Sequence, residues 1–169
     1  MIGSRVPKNK LEEMIEVDIP GHRRLQLHHL VLDYNGTLAE DGLLIPGVEP
    51  TLQSLSKDIG IHVLTADTFG NVRSRLANVP CNLVILAPTQ QDIGKRDYVR
   101  ELGAQNAASI GNGRNDRLML KESALGIAVI LQEGCAAETL AAADAVCTDI
   151  VSALKLLSNP LRLIATLRS

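Results

Sequence analysis

The stretch His29-Leu30-Val31-Leu32-Asp33-Tyr34-Asn35-Gly36-Thr37 decides how this chain is read. Residues His29–Asp33 form a short, nearly continuous apolar run, as expected of a strand buried on both faces of a parallel sheet. Asp33 falls at its carboxyl tip, and Asn35-Gly36 favours a turn directly behind it. Working outward, similar runs recur at Ile61–Thr65, Cys81–Ala87, Ala107–Ile110 and Gly126–Leu131, with a weaker one at Ala145–Thr148. Helical segments lie between them at Val48–Lys57, Asn71–Ala77, Gln91–Leu102, Asp116–Lys121 and Ala136–Ala142. Two more, Ile150–Leu157 and Pro160–Leu167, follow. Leu102-Gly103 and Leu125-Gly126 put glycine where helices are expected to stop. The alternation predicts an α/β fold: a doubly wound, mainly parallel sheet with helices on both faces, Rossmann-like in architecture. Ahead of it, IEVDIP and RRLQL flank Pro20-Gly21 and predict an N-terminal β-hairpin.

Composition narrows the function. The 169 residues are 46% hydrophobic and 21% charged, enough to bury a core, with a net charge of -2. That balance argues against nucleic acid as a partner, which would call for a basic face. Aromatic residues make up 2%, which excludes base-stacking platforms and aromatic cages. No apolar run approaches the ~18 residues of a membrane span, so no membrane partner is expected. The opening MIGSRVPKNKLEEM lacks the apolar region of a secretory signal, and the expectation is a cytoplasmic protein. Residues 1–13 read as a flexible N-terminal extension and 14–169 as a single domain. Cys81, Cys135 and Cys147 form no CxxC pair and read as thiols in a reducing compartment, although Cys135 sits where a helix start could lower its pKa.

Three strand ends carry polar clusters. They are LVLDYNGTLAEDG around Asp33, HVLTADTFG with Thr65 at the strand tip, and ASIGNGRNDRLML with Asn112, Asn115 and Asp116 at a helix start. Backbone N–H groups at helix starts bind anions, and adjacent carboxylates hold hard cations. The residues alone therefore describe a site for a phosphoryl group and a divalent ion, most simply Mg²⁺.

This set resembles the haloacid dehalogenase (HAD) superfamily of phosphatases and phosphotransferases. Its DxDGT motif is matched by Asp33-Tyr34-Asn35-Gly36-Thr37, its strand-terminal Thr by Thr65, and its Lys by Lys95. Its GDGxND motif is matched by Gly111-Asn112-Gly113-Arg114-Asn115-Asp116. The match spans roughly residues 28 to 130 in the family's order. Among members it looks most like soluble relatives of the P-type ATPases, whose TGD is similar to Thr65-Ala66-Asp67. The resemblance implies Asp33 as nucleophile, forming an aspartyl-phosphate. It implies phosphoryl contacts from Thr65, from Lys95 and from the backbone N–H groups of Tyr34, Asn35 and Ala66. Mg²⁺ would be held by Asp33, the Asn35 carbonyl, Asn112 and Asp116.

Two departures qualify the resemblance. Asn35 stands where the family has its general acid-base Asp, and an amide cannot carry that proton. Asn112 replaces a metal-binding Asp, removing one negative charge. The expected function is a Mg²⁺-dependent phosphohydrolase or phosphotransferase with slow turnover. The alternative is a HAD-fold binding or regulatory module that has lost turnover. Residues 37–61 and 66–94 leave no room for a cap domain, so the site is expected to be open or closed by a second copy in a homo-oligomer. The substrate is expected to be a phosphorylated compound of unspecified identity. His22, His28, His29 and His62 match no metal spacing. His22-Arg23-Arg24 reads as a solvated turn, Lys121 as solvated, and Lys95-Arg96 with Arg100 as a charge cluster that composition alone assigns to a solvated helix face.

Overall fold

A computed structural model describes residues 13–67 and 70–169. The N-terminal extension expected at 1–13 therefore lies, apart from Glu13, outside the described residues.

The chain opens with β1 (Ile15–Ile19) and β2 (Arg23–Leu27), an antiparallel hairpin in register Ile15↔Leu27. It continues into β3 (His29–Asp33), β4 (Ala39–Glu40), β5 (Leu43–Leu44), α1 (Val48–Leu55), β6 (Gly60–Thr65), α2 (Val72–Arg75) and β7 (Asn82–Ile85). The second half holds α3 (Gln91–Leu102), β8 (Ala107–Gly111), α4 (Arg117–Glu122), β9 (Leu125–Val129), α5 (Ala137–Ala142), β10 (Ala145–Cys147), α6 (Ile150–Ser158) and α7 (Pro160–Leu167). Six strands form one parallel sheet in the order β10-β9-β8-β3-β6-β7. The doubly wound fold and the hairpin are as the sequence predicts.

Strand β3 is central and buried on both sides. Leu30 and Leu32 face the larger core, with α1, α6, α7 and the hairpin, while Val31 faces a second cluster with Val99 of α3 and Met119 of α4. Helix α1 buries Val48, Leu52 and Leu55, the spacing that puts three side chains on one helical stripe. Helix α6 starts where the Asp149 carboxylate accepts the Ser152 N–H at 2.6 Å, and Pro160 opens α7 at its first position. The order of strands places β3 at the switch point: β6 and β7 lie to one side, β8, β9 and β10 to the other. In open α/β sheets the ligand crevice forms there, beyond the carboxyl ends of the strands.

Between β3 and β6 the chain forms only the two-residue ladder β4–β5 and helix α1. The β4–β5 ladder is a small hairpin, turning through Asp41 and Gly42 with positive φ at both. The Tyr34 hydroxyl donates to the Gly42 carbonyl at 3.2 Å and ties this hairpin to the end of β3.

Two expectations are corrected. Gly126 does not stop a helix; it is the second residue of β9, and α4 has already ended at Glu122. A Cβ at Gly126 would lie 2.5 Å from the Leu120 carbonyl oxygen, so glycine serves the close approach of β9 to α4. Arg23 and Arg24 belong to β2 rather than a turn. The Arg23 guanidinium donates to the Ala124 carbonyl at 2.7 Å and to Asp144 at 2.9 Å, pinning the hairpin to the sheet.

Gly126→Ala is expected to lower unfolding free energy by about 1–3 kcal/mol, the usual cost of overpacking. Gly94→Ala, inside α3 where a Cβ meets nothing closer than Leu86 at 3.6 Å, is expected to raise it by up to about 1 kcal/mol. Urea unfolding of both variants checks the pair.

Candidate active site

At the switch point the end of β3 turns sharply. The Tyr34 carbonyl accepts N–H bonds from Thr37, Leu38 and Ala39, and Gly36 adopts φ +78°. A Cβ on Gly36 would lie 2.5 Å from Glu133 Oε2, 2.6 Å from Asn112 Nδ2 and 3.0 Å from Asn112 Oδ1. Glycine is required here because polar side chains from two other loops occupy that space.

Beyond β8, a 3₁₀ turn over Arg114–Asp116 folds Asp116 back over Gly111, where a Cβ would meet the Asp116 carboxyl carbon at 2.5 Å. Asp116 Oδ2 accepts the backbone N–H groups of Asn112 (3.0 Å) and Gly113 (2.9 Å). Its other oxygen, Oδ1, accepts from Lys95 Nζ at 2.6 Å. The same ammonium donates to Asp33 Oδ1 at 2.7 Å. Lys95 is 1% exposed and Asp116 0%. This corrects the compositional reading of Lys95 as solvated: Lys95 and Val99, one turn apart on α3, share its buried face, whereas Lys121 is exposed. Arg96 and Arg100 stay at the surface and pair with Asp97 and Glu122.

Burial works to lower the Lys95 pKa, but the charges of Asp33 and Asp116 outweigh it and hold the ammonium above the ordinary lysine value. Burial and the nearby Asp33 charge push Asp116 up to about 6, against the pull of Lys95. The second oxygen of Asp33 accepts from the Thr37 hydroxyl at 3.0 Å, and that hydroxyl is 3.3 Å from Asn112 Oδ1.

Above this network lies a cavity of about 270 Å³. Six residues expected at a site line it or border it: Asp33, Asn35, Thr65, Ala66, Lys95 and Asn112. Two others fall behind its wall. Tyr34 buries its side chain in the core, and Asp116 is enclosed with three donors on its two oxygens. The Asn35 side-chain oxygen is buried and has no hydrogen-bond partner among the described residues. Asp67 turns its carboxylate to the Val72 N–H at the start of α2.

The cavity also contains residues the sequence reading missed. One is Gln91, whose side-chain oxygen accepts at 2.9 Å from Asn115, a residue the sequence already placed in the polar cluster after β8. Glu133 enters from the turn after β9; the available signal was a carboxylate and a glycine just past the end of an apolar strand. A larger groove of about 610 Å³ lies by α4 and α5, but its arginines are engaged, Arg23 by Asp144 and Arg117 by Asp92.

The histidines lie elsewhere. His29 Nδ1 and His62 Nε2 are 3.1 Å apart, and His62 Nδ1 is 2.8 Å from the Tyr98 hydroxyl, at the amino ends of β3 and β6. The Cys135 thiol is pushed up by burial and by the Asp116 charge, the reverse of a helix-start activation; α5 begins two residues later, at Ala137.

No family model matches the chain. Several solved structures share its fold. The 3-deoxy-D-manno-octulosonate 8-phosphate phosphatase of Moraxella catarrhalis, in complex with magnesium, phosphate and KDO, aligns with a TM-score of 0.65 at 19% identity. That alignment covers 83% of this chain and 92% of that one. The cobalt-bound enzyme of Haemophilus influenzae aligns at 0.64 and 18%, over 82% and 86%. A zinc-transporting PIB-type ATPase aligns at 0.54 and 22%, over 73% of this chain but 20% of the pump. The fold is that of HAD-superfamily phosphatases, and the likeness to the pump is the weaker one. No single helix among the described residues is long and apolar enough to cross a membrane. In sequence, 82 residues, 46% of this chain, are 44% identical to an uncharacterized protein of Methanocaldococcus jannaschii and span 88% of it. On that identity and coverage, the chain belongs to the same family as the Methanocaldococcus protein.

Proposed function

We propose that this chain is a divalent-metal-dependent phosphohydrolase or phosphotransferase that works through an aspartyl-phosphate on Asp33. The observation that carries the reading is the buried ammonium of Lys95, held between Asp33 and Asp116 on the floor of a polar cavity at the switch point. Support comes from the shared fold with phosphatases whose structures hold magnesium or cobalt.

In the first step a carboxylate oxygen of Asp33 bonds to phosphorus. The bond from phosphorus to the leaving oxygen breaks, and its electron pair departs with that oxygen. The Thr65 hydroxyl and the Ala66 N–H at the cavity wall are donors for the phosphoryl oxygens, and Lys95 offsets their charge. In hydrolysis a water oxygen bonds to phosphorus, the bond from phosphorus to the Asp33 oxygen breaks with its electron pair restoring the carboxylate, and the water's protons pass to the released phosphate and to solvent. Asn35 borders the same space but has no proton to give the leaving oxygen and no basic site to take one from water. Acidic leaving groups are therefore preferred, and attack by water on the phosphoenzyme is the slow step.

The residues fit a hard cation such as Mg²⁺. Asp33 Oδ2 and Asn112 Oδ1 both flank the Thr37 hydroxyl, and the missing Cβ of Gly36 keeps the adjoining space open to oxygens. Asn112 Oδ1 and the Asn35 carbonyl are neutral oxygen donors beside the Asp33 carboxylate, a set that suits a hard cation. When bound, the cation neutralises charge on the transferring group. Asp116 serves it indirectly, by fixing Lys95 and the 112–113 loop.

A substrate with an acidic leaving group, such as an acyl phosphate or p-nitrophenyl phosphate, is expected to give a burst of product and then slow turnover. Asn35→Asp should raise the steady-state rate by at most about 10²–10⁴, and Asp33→Asn should abolish both phases. Rapid-quench kinetics and acid trapping of the phosphoenzyme check this. Absence of both burst and phosphoenzyme would favour the binding-module reading.

Lys95→Met leaves two buried carboxylates without their cation, and should cost about 3–5 kcal/mol at pH 8. The sign of its pH dependence follows from Asp116, whose folded pKa of about 6 stands above the unfolded 3.8. Lys95 pulls that pKa down, so in Lys95→Met it stands higher still; as pH falls the variant takes up a proton on Asp116 before wild type does and loses part of its penalty. The deficit of Lys95→Met relative to wild type is thus expected to shrink between pH 8 and pH 5. Urea unfolding at the two pH values measures it.

A further inference from the structure

We infer that Glu133 is a carboxylate ligand of the divalent cation in this cavity, returning the charge that Asn112 lacks. The inference rests on the proposed reading of the cavity as a phosphoryl and cation site.

Glu133 sits in a tight turn from Leu131 to Gly134, closed by the Gly134 N–H donating to the Leu131 carbonyl at 2.9 Å, with Gly134 at φ +74°. Asn112 holds this turn in place. Its side-chain Nδ2 donates to the Gly134 carbonyl at 3.1 Å, and its own carbonyl accepts the Ala136 N–H at 2.9 Å. Only an amide can do both things required at position 112: present Oδ1 beside Thr37 and donate from Nδ2 to a carbonyl. A carboxylate has no proton for Gly134. Asparagine at 112 and glutamate at 133 thus form one arrangement, in which the first residue positions the second.

The outcome is that Glu133 Oε2 and Asn112 Oδ1 border the same small space over Gly36. Glu133 has no hydrogen bond or ion pair among the described residues, although it lines a cavity shared with Asp33. Lys95 does not offset it, because its ammonium is already taken by Asp33 and Asp116. Three carboxylates against one ammonium leave two negative charges, the charge of one divalent cation. Asn35 lines the same cavity, and its side-chain oxygen is buried without a hydrogen-bond partner among the described residues.

The test uses Mn²⁺ as the probe, titrated calorimetrically into the full chain and into Glu133→Gln, Glu133→Asp and Asp33→Asn. Glu133→Gln is expected to weaken binding about tenfold or more, with Glu133→Asp recovering part of the loss. Because Glu133 is exposed, metal-free melting of Glu133→Gln should match wild type, while the upward shift produced by saturating Mn²⁺ should be smaller. Weakening by less than tenfold in Glu133→Gln, alongside a clear loss in Asp33→Asn, overturns the assignment of Glu133 and leaves the proposed function standing. Failure of the wild-type chain to bind Mn²⁺ at all, or equal binding by Asp33→Asn, overturns both.

Discussion

One buried ammonium organises this molecule. Lys95 comes from the middle of α3, Asp33 from the end of β3 and Asp116 from the turn beyond β8, and the three meet with almost no exposure to solvent. A lysine in such surroundings is tolerated only because two carboxylates face it, and each carboxylate is tolerated because of the lysine. Each carboxylate accepts from further groups, Asp33 from Thr37 and Asp116 from the 112–113 backbone. Since each partner belongs to a different element, the triad fixes α3 against both halves of the sheet and sets the floor of the cavity.

The sheet explains why these groups converge. With β3 at the switch point, the loops after β3, β6 and β8 leave in different directions around one crevice. Each contributes a polar terminus: Asp33 and Asn35, Thr65 and Ala66, Asn112 and Gly113. The turn after β9, one strand further out, reaches the same space because Asn112 tethers it. Glycines at 36 and 111 make this convergence possible, as each leaves room for a side chain arriving from elsewhere in the sequence.

Much of this was legible in the sequence. Strands buried on both faces read as apolar runs, and β3 and α3 fall at the residues expected of them. The polar strand ends marked the crevice because three of them recur at the carboxyl ends of strands, where a doubly wound sheet forms its ligand cleft. What stayed hidden depends on contacts between distant segments. The family resemblance marked Lys95, but its charge pattern beside Arg96 and near Arg100 reads as solvated, and its burial became visible only in the pairing with carboxylates 62 and 21 residues away. Gly126 resembled a helix stop because sequence carries no record of how closely β9 approaches Leu120. Glu133 lies in a turn without periodicity, and nothing local ties it to Asn112. Asp116 was legible as a site residue, but not as one enclosed behind the cavity wall.

The central position of β3 has a consequence for how the molecule comes together in time. Its two neighbours, β6 and β8, are paired from opposite sides, one soon after β3 in the chain and the other only after α3 has been laid down. Contacts of long sequence separation form late, once the entropy of closing the intervening loops has been overcome. The half of the sheet containing β6 and β7 can assemble while Asp116 is still far from Asp33. Lys95 then has at most one carboxylate, and the crevice has one wall. Pairing of β8 with β3 is what brings Asp116 to Lys95 and Asp33, so the triad closes only when the two halves of the sheet meet.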